Sequence, residues 1–202
     1  MEIERFEIRL SGSGGQGIIL AAIILAEAAG IYEGYNVSQT QSYGPEARGG
    51  RCKAEVVISS RQIDYPKAVQ LDMMLAMNQA SCDAYCYDFK PNGLLLIDAG
   101  LVDQVHTSRV VALPFTKIAR EVAGLELAAN MVALGALGHF CPFLGRQSLK
   151  AAAPTWRAVL LTSDHAALAQ AVKAIGGLTL DKAASVKTRG LAADIWLVTR
   201  SR

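Results

Sequence analysis

The stretch "RLSGSGGQGIILAAIILAEAAG", residues 9–30, decides how this chain is read. It sets a G-x-G-x-x-G run, Gly12, Gly14 and Gly17, between a strand-like segment and a long apolar helix expected from about Gly15 to Ala29. In dinucleotide-binding folds the three glycines allow a tight turn, a close backbone approach to phosphate and close helix–sheet packing. The helix aims its positive end and free N–H groups at that loop, which favours an anion. The second half of the dinucleotide fingerprint is an acidic residue at the end of the second strand, where it holds the ribose hydroxyls. Here that strand ends in "SQTQ"; Glu27 and Glu33 come too early and Glu46 lies beyond, in the next loop. Gln16 also places a sizeable polar side chain at the mouth of the helix. The run therefore argues against NAD and for an anion near a helix start, with a tight, closely packed turn as the plain structural alternative.

Outward from this stretch, "ERFEIRLSG" alternates like a first strand and "EGYNVSQTQ" reads as a second. "SYGPEARGG" is a loop punctuated by Gly and Pro. "RCKAEVVISS" alternates again, with Cys52, Ala54, Val56 and Ile58 on one face and Lys53 and Glu55 on the other. "LDMMLAMN", "GLLLIDAG" and "SRVVALPF" are strand-length apolar runs; "QASCDAYCYDF", "TKIAREVAG" and "NMVALGALGHF" look helical. This alternation predicts an α/β fold, a Rossmann-like three-layer domain with a mostly parallel sheet. A hairpin-like third strand makes the sheet mixed. Beyond Pro154, "SDHAALAQAVKAIGG" has the signals of a helix, capped by Ser163 or Asp164 and ended by Gly176, and "DIWLVTR" those of a final edge strand.

Composition narrows the function classes. About half of the 202 residues are hydrophobic, enough for one domain with a real core. A net charge of +2 without a dense Lys/Arg block gives no nucleic-acid groove. The apolar runs fall short of the ~20 residues a membrane span needs, and the start lacks a signal-peptide core. A cytoplasmic protein without membrane or nucleic-acid partners is the expectation. The four cysteines, Cys52, Cys82, Cys86 and Cys141, do not have iron–sulfur spacing; "CDAYC" places two thiols on one expected helical face, and small buried side chains are the simplest reading. His106, His139 and His165 have no metal-ligand spacing, and His139 reads as a core histidine. Asp98 ends a buried strand, where capping or turn formation is its commoner use. Asn130 is placed to cap the helix it begins, and Gly135 and Gly138 predict close packing of that helix.

The loop "QSYGPEARGG" is the second motif. Arg48 lies among Gly44, Pro45, Gly49 and Gly50, so its guanidinium has little bulk around it and can grip an anion or carboxylate with two hydrogen bonds. Taken together, "SGSGGQGIILAAIILAEAA", "QSYGPEARGG" and "NMVALGALG" resemble the gamma subunit, or gamma domain, of the thiamine-dependent 2-oxoacid:ferredoxin oxidoreductases. The resemblance covers roughly residues 5–145. It implies a Rossmann-like domain, residues 1–145, that works only inside an assembly. From about Arg146 the resemblance fades, and residues 146–202 read as a helical region and tail packed on the same domain. The partners it implies are alpha, beta and, in some members, delta subunits, with ferredoxin reached through the complex. Thiamine diphosphate, magnesium and the iron–sulfur clusters would belong to those partners, while coenzyme A is a substrate of the whole. Residue by residue, Gly12, Gly14, Gly15, Gln16 and Gly17 fall on the family's first loop. Ser42, Tyr43, Gly44, Pro45, Glu46, Arg48, Gly49 and Gly50 fall on its second. The two loops are expected to meet at one end of the sheet, facing a partner's reaction chamber or the path of coenzyme A. The rival reading is a stand-alone Rossmann-like module that binds a nucleotide or coenzyme A.

Overall fold

In the computed structural model, which describes residues 2–43, 50–107 and 109–155, β1 (Phe6–Ser13) is the central strand from which the sheet grows both ways. On one side lies β3 (Arg51–Ser59) and beyond it β2 (Asn36–Tyr43); on the other follow β4 (Leu71–Ala76), β5 (Phe89–Asp98) and β6 (Val110–Leu113). β1, β4, β5 and β6 are parallel neighbours, and β3 runs antiparallel to both β1 and β2. The sheet is thus mixed and mostly parallel, as the alternating pattern predicts. The helices are α1 (Ile18–Glu27), α2 (Gln79–Tyr85), α3 (Phe115–Ala123), α4 (Ala129–Phe140) and α5 (Arg146–Thr155).

Period-two alternation sorts the strands onto two cores. Ile8, Leu10, Ala54, Val56, Ile58, Met73, Leu75 and Leu96 face the larger core with α1 and α4. Met74, Ala76, Leu95 and Ile97 face a smaller one that takes in Cys82 of α2. The apolar circumference of α1 is explained by its neighbours, which include the sheet, α4 and α5. It is shorter than the sequence suggested: Gly17 in the left-handed region (φ 69°) starts it, and a wider π-type turn over Ala28–Tyr32 ends it. The helix expected through "QASCDAYCYDF" likewise stops at Tyr85, leaving Cys86 just past its end rather than on its face. Asn130 is not a cap. Ala128 takes that position, and Asn130 lies inside α4 with its Oδ1 accepting the Met131 amide at 2.9 Å. The helix and strand expected after Pro154, with Ser163, Asp164, His165 and Gly176, fall outside the described residues.

Two carboxylates hold junctions in this frame. Asp98, fully buried, accepts the Gly100 amide (2.9 Å) and both the amide (2.8 Å) and hydroxyl (2.5 Å) of Thr116, tying β5 to the first turn of α3. Glu33 accepts the Gly145 amide (2.7 Å) and the Ser148 hydroxyl (2.5 Å), fixing the start of α5. His139 is half-buried against Phe140, and burial first, then the nearby Arg146 charge, hold its pKa below the ordinary value.

Gly138 explains how α5 docks. A Cβ there would lie 2.1 Å from Leu149 Cδ1, and Leu149 is itself buried. Gly138→Ala should therefore destabilise the chain by ~1 kcal/mol, the overpacking outweighing the gain in helix propensity. In a Leu149→Ala background the same substitution should be neutral or stabilising by urea unfolding. An equal effect in both backgrounds would contradict this contact.

Candidate functional site

Strand register brings the two glycine loops together. Ser13 at the end of β1 lies opposite Arg51 at the start of β3, and Tyr43 at the end of β2 opposite Cys52. The β1–α1 loop and the β2–β3 hairpin therefore occupy the same end of the sheet, and the Gly14 amide donates to the Gly50 carbonyl at 2.9 Å. Gly44, Pro45, Glu46, Arg48 and Gly49 lie outside the described residues. Ser42 and Tyr43, expected in the loop, instead extend β2 because they pair with Lys53 and Cys52 of β3; Gly50 precedes β3, and Tyr43 is 66% exposed.

The sheet order changes direction at β1, so the crevice between β1 and β4 is the switch point at which open α/β sheets place ligands. Here a side chain of the chain itself spans it. Gln16 Oε1 accepts from the Ser13 amide (2.7 Å), the Ser13 hydroxyl (3.0 Å) and Asn78 Nδ2 (3.1 Å). Gln16 Nε2 donates to the Met77 carbonyl just past β4 at 3.2 Å. One carboxamide oxygen thus collects the kind of donors that a phosphate oxygen collects in dinucleotide folds.

The glycines fit this closure. A Cβ on Gly12 would lie 2.7 Å from Gln16 Oε1 and 2.8 Å from Ile18 Cγ1, so its bareness makes room for Gln16 and for the helix. Gly17 combines φ 69° with Asn130 Nδ2 only 2.3 Å from where a Cβ would stand, and that amide donates to the Gly17 carbonyl at 3.2 Å. Gly15 (φ 98°) has open space on its Cβ side, so it presents bare backbone outward. Glycine thus serves packing at positions 12 and 17 and exposure at position 15.

The reverse face of β1 and β3, beside this end, is polar and buried. Arg9 Nε donates to Glu55 Oε1 at 2.8 Å, and Lys53 Nζ donates to the same oxygen at 3.1 Å. The Arg9 guanidinium stacks 4.7 Å from the Tyr87 ring centroid, and Lys53 stands 5.7 Å from that of Tyr85. Burial alone would raise the Glu55 pKa, but hydrogen bonds and charge from Lys53 and Arg9 outweigh it and hold the carboxyl below its usual range.

A family model described as pyruvate ferredoxin/flavodoxin oxidoreductase matches residues 7–173. The chain belongs to this family. It is 46% identical over 152 residues to 2-oxoglutarate synthase subunit KorC of Methanocaldococcus jannaschii, covering 73% of this chain and 81% of that one. It is 34% identical over 138 residues to ketoisovalerate oxidoreductase subunit VorA of Methanothermobacter marburgensis, covering 67% of this chain and 28% of that longer one. Among solved structures, the keto/oxoacid ferredoxin oxidoreductase gamma subunit from Geobacter sulfurreducens matches with a TM-score of 0.72 and 38% identity, over 83% of this chain and 96% of that one.

Three residues of this oxidoreductase-family site were not singled out from sequence for what they do. Asn78 caps α2 through Ser81 (2.8 Å) while reaching Gln16; an Asn between a buried strand and a helix is the signal that marks it. Arg9 and Glu55 pair across strands far apart in sequence, and only charges at inward strand positions hint at them. Among the described residues no group of three or more His, Cys, Asp and Glu side chains could hold a metal ion. Nor is any described helix long and apolar enough to cross a membrane.

Gln16→Leu keeps the volume but leaves the Ser13 and Asn78 donors and the Met77 carbonyl without this partner. It should lower unfolding free energy by ~1–3 kcal/mol in urea titration. A stability equal to wild type would show that the carboxamide does not close the loop.

Proposed function

We propose that this chain is the gamma component of a 2-oxoacid:ferredoxin oxidoreductase and that 2-oxoglutarate is the oxoacid of its complex. In that reaction the 2-oxoacid loses CO2, its acyl group passes to coenzyme A, and ferredoxin takes up the electrons. Membership of the oxidoreductase family supports the reaction, and the higher identity to the 2-oxoglutarate relative than to the ketoisovalerate one supports the substrate. The stand-alone nucleotide module is set aside on the same ground.

Thiamine diphosphate, magnesium and iron–sulfur clusters belong, in this reading, to alpha, beta or delta partners in the cytoplasm. Residues 1–145 form the gamma-type domain, and α5 packs on it, as buried Leu149, Ala152 and Ala153 support. The chain's own part is to present one end of its sheet. The observation that carries this is the joining of the two glycine loops by the Gly14–Gly50 bond, with the first loop braced across the switch point by the Gln16 bridge to Met77 and Asn78. Gly12, Gly14, Gly15, Gln16 and Gly17 shape one lip. Ser42, Tyr43, Gly44, Pro45, Glu46, Arg48, Gly49 and Gly50 shape the other. Arg48 offers its guanidinium to a phosphate of coenzyme A or to a carboxylate of the neighbouring subunit, and Tyr43 adds exposed aromatic surface.

Co-expression with alpha and beta chains tests this. The assembled complex should reduce ferredoxin with 2-oxoglutarate and coenzyme A, and omission of this chain should abolish turnover. Arg48→Ala should raise the Michaelis constant for coenzyme A, or weaken assembly, by about ten-fold, the loss of one charge-assisted contact. Full turnover without the chain would overturn the role. Unchanged coenzyme A kinetics and unchanged assembly would overturn the place given to Arg48.

A further inference from the structure

We propose that Cys82 and Cys86 form a peroxide-reactive thiol pair that closes into an intramolecular disulfide. The pair lies on the reverse face of the sheet, one and two turns beyond Asn78, and the proposal is independent of the functional reading above. Cys82 sits in α2 and is 2% exposed, whereas Cys86 follows the helix end and is half-buried. Cys52 and Cys141 are both buried, which leaves Cys86 as the most accessible of the four free thiols.

The backbone at Cys86 is held in a specific bend. Its φ of −83° and ψ of 68°, with the Tyr87 amide donating to the Tyr85 carbonyl at 3.0 Å, make it the centre of an inverse γ-turn. Arg9 secures that bend from β1: its Nη1 donates to the Tyr85 carbonyl at 2.9 Å and the Tyr87 carbonyl at 3.4 Å, the two that bracket Cys86. A buried guanidinium is thereby placed beside the thiol. On this face Arg9 and Lys53 both bond one oxygen of Glu55, so the buried Arg9 guanidinium that brackets Cys86 shares its carboxylate with a second cation. The groups packed around Cys86 agree with that assignment. The Cys82 thiol hydrogen-bonds to it, and that bond first, then the Arg9 charge, hold the Cys86 pKa below the ordinary thiol value despite burial and the opposing charge of Asp83. The same hydrogen bond, burial and Asp83 push Cys82 up, so Cys82 keeps the proton and donates it. Burial pushes Cys52 and Cys141 up as well.

Two residues four apart on a helix rise about 6 Å, within the Cα separation a disulfide accepts. The Cys86 amide keeps that spacing through its 2.9 Å bond to the Cys82 carbonyl, and the chain turns away only beyond it. The Cys86 thiolate attacks one peroxide oxygen; an S–O bond forms, the O–O bond breaks, and the hydroxide released takes a proton to become water. The Cys82 sulfur then attacks the Cys86 sulfenic sulfur, the S–S bond forms and the S–O bond breaks, and the departing hydroxyl leaves as water with the Cys82 proton. Two thiols lose two electrons and one peroxide gains them, giving one disulfide and two waters.

The test treats the reduced full-length chain with a small molar excess of hydrogen peroxide and maps its cysteines by mass spectrometry. Wild type should lose two hydrogens in a Cys82–Cys86 crosslink while Cys52 and Cys141 stay reduced. Cys82→Ser should stop at a sulfenic acid on Cys86 that dimedone traps, and Cys86→Ser should leave Cys82 a thiol. On unmodified wild type, iodoacetamide should alkylate Cys86 at least about ten-fold faster than Cys52 or Cys141, a readout that does not depend on the variants folding. Oxidation spread over all four cysteines, over-oxidation of Cys86 without a crosslink, or oxidation of Cys82 in Cys86→Ser would each overturn the proposal.

Discussion

The carboxamide of Gln16 is the contact on which the functional end of this chain depends. Its oxygen gathers two donors from Ser13 and one from Asn78, and its nitrogen reaches the Met77 carbonyl. It therefore holds the β1 loop to the loop after β4 across the point where the sheet reverses order. Around it, Gly12 is bare because Gln16 and Ile18 fill the space of a side chain, and Gly17 is bare because Asn130 does. Remove that carboxamide and the donors it satisfies open into the crevice, and the lip that meets Gly50 loses its backing.

The two faces of the sheet divide the labour between packing and charge. One is apolar and carries α1, α4 and α5, sealed at its ends by Glu33 and by the fit of Gly138 to Leu149. The other buries Arg9 and Glu55 among tyrosines, an arrangement that stays favourable only while each charged group keeps its partners. The loop end and the charged face meet on β1 and β3, where alternate residues point to opposite sides.

Much of this was legible in the sequence because period-two alternation and glycine placement are local signals. The strand faces of "RCKAEVVISS" and the mixed sheet follow from residues close together in the chain, whereas the meeting of the two loops, made by Gly14 and Gly50, is expected only through the family resemblance. Other features were not legible because they are made by distant segments. Asn130 looked like a cap because it heads an apolar run, yet α4 begins earlier and the side chain bonds Gly17, 113 positions away. Cys86 looked helical by spacing, but Arg9, which lies 76 residues before the carbonyl it binds, sits against a γ-turn there. Gln16 is plainly bulky at the helix mouth by sequence; that it folds back to satisfy its own loop depends on Asn78 and Met77, which only the β1–β4 pairing brings near.

The central claim, that the glycine loop is closed by its own side chain and not left open in the free chain, is tested most directly by amide hydrogen exchange. The Ser13 amide, bonded to Gln16 Oε1 at 2.7 Å, and the Gly14 amide, bonded to the Gly50 carbonyl at 2.9 Å, are the reporters. The account predicts that both exchange on the slow scale of the β1 core amides of Ile8 and Leu10. Exchange of Ser13 and Gly14 at the rate of an open loop, with β1 itself protected, would contradict it.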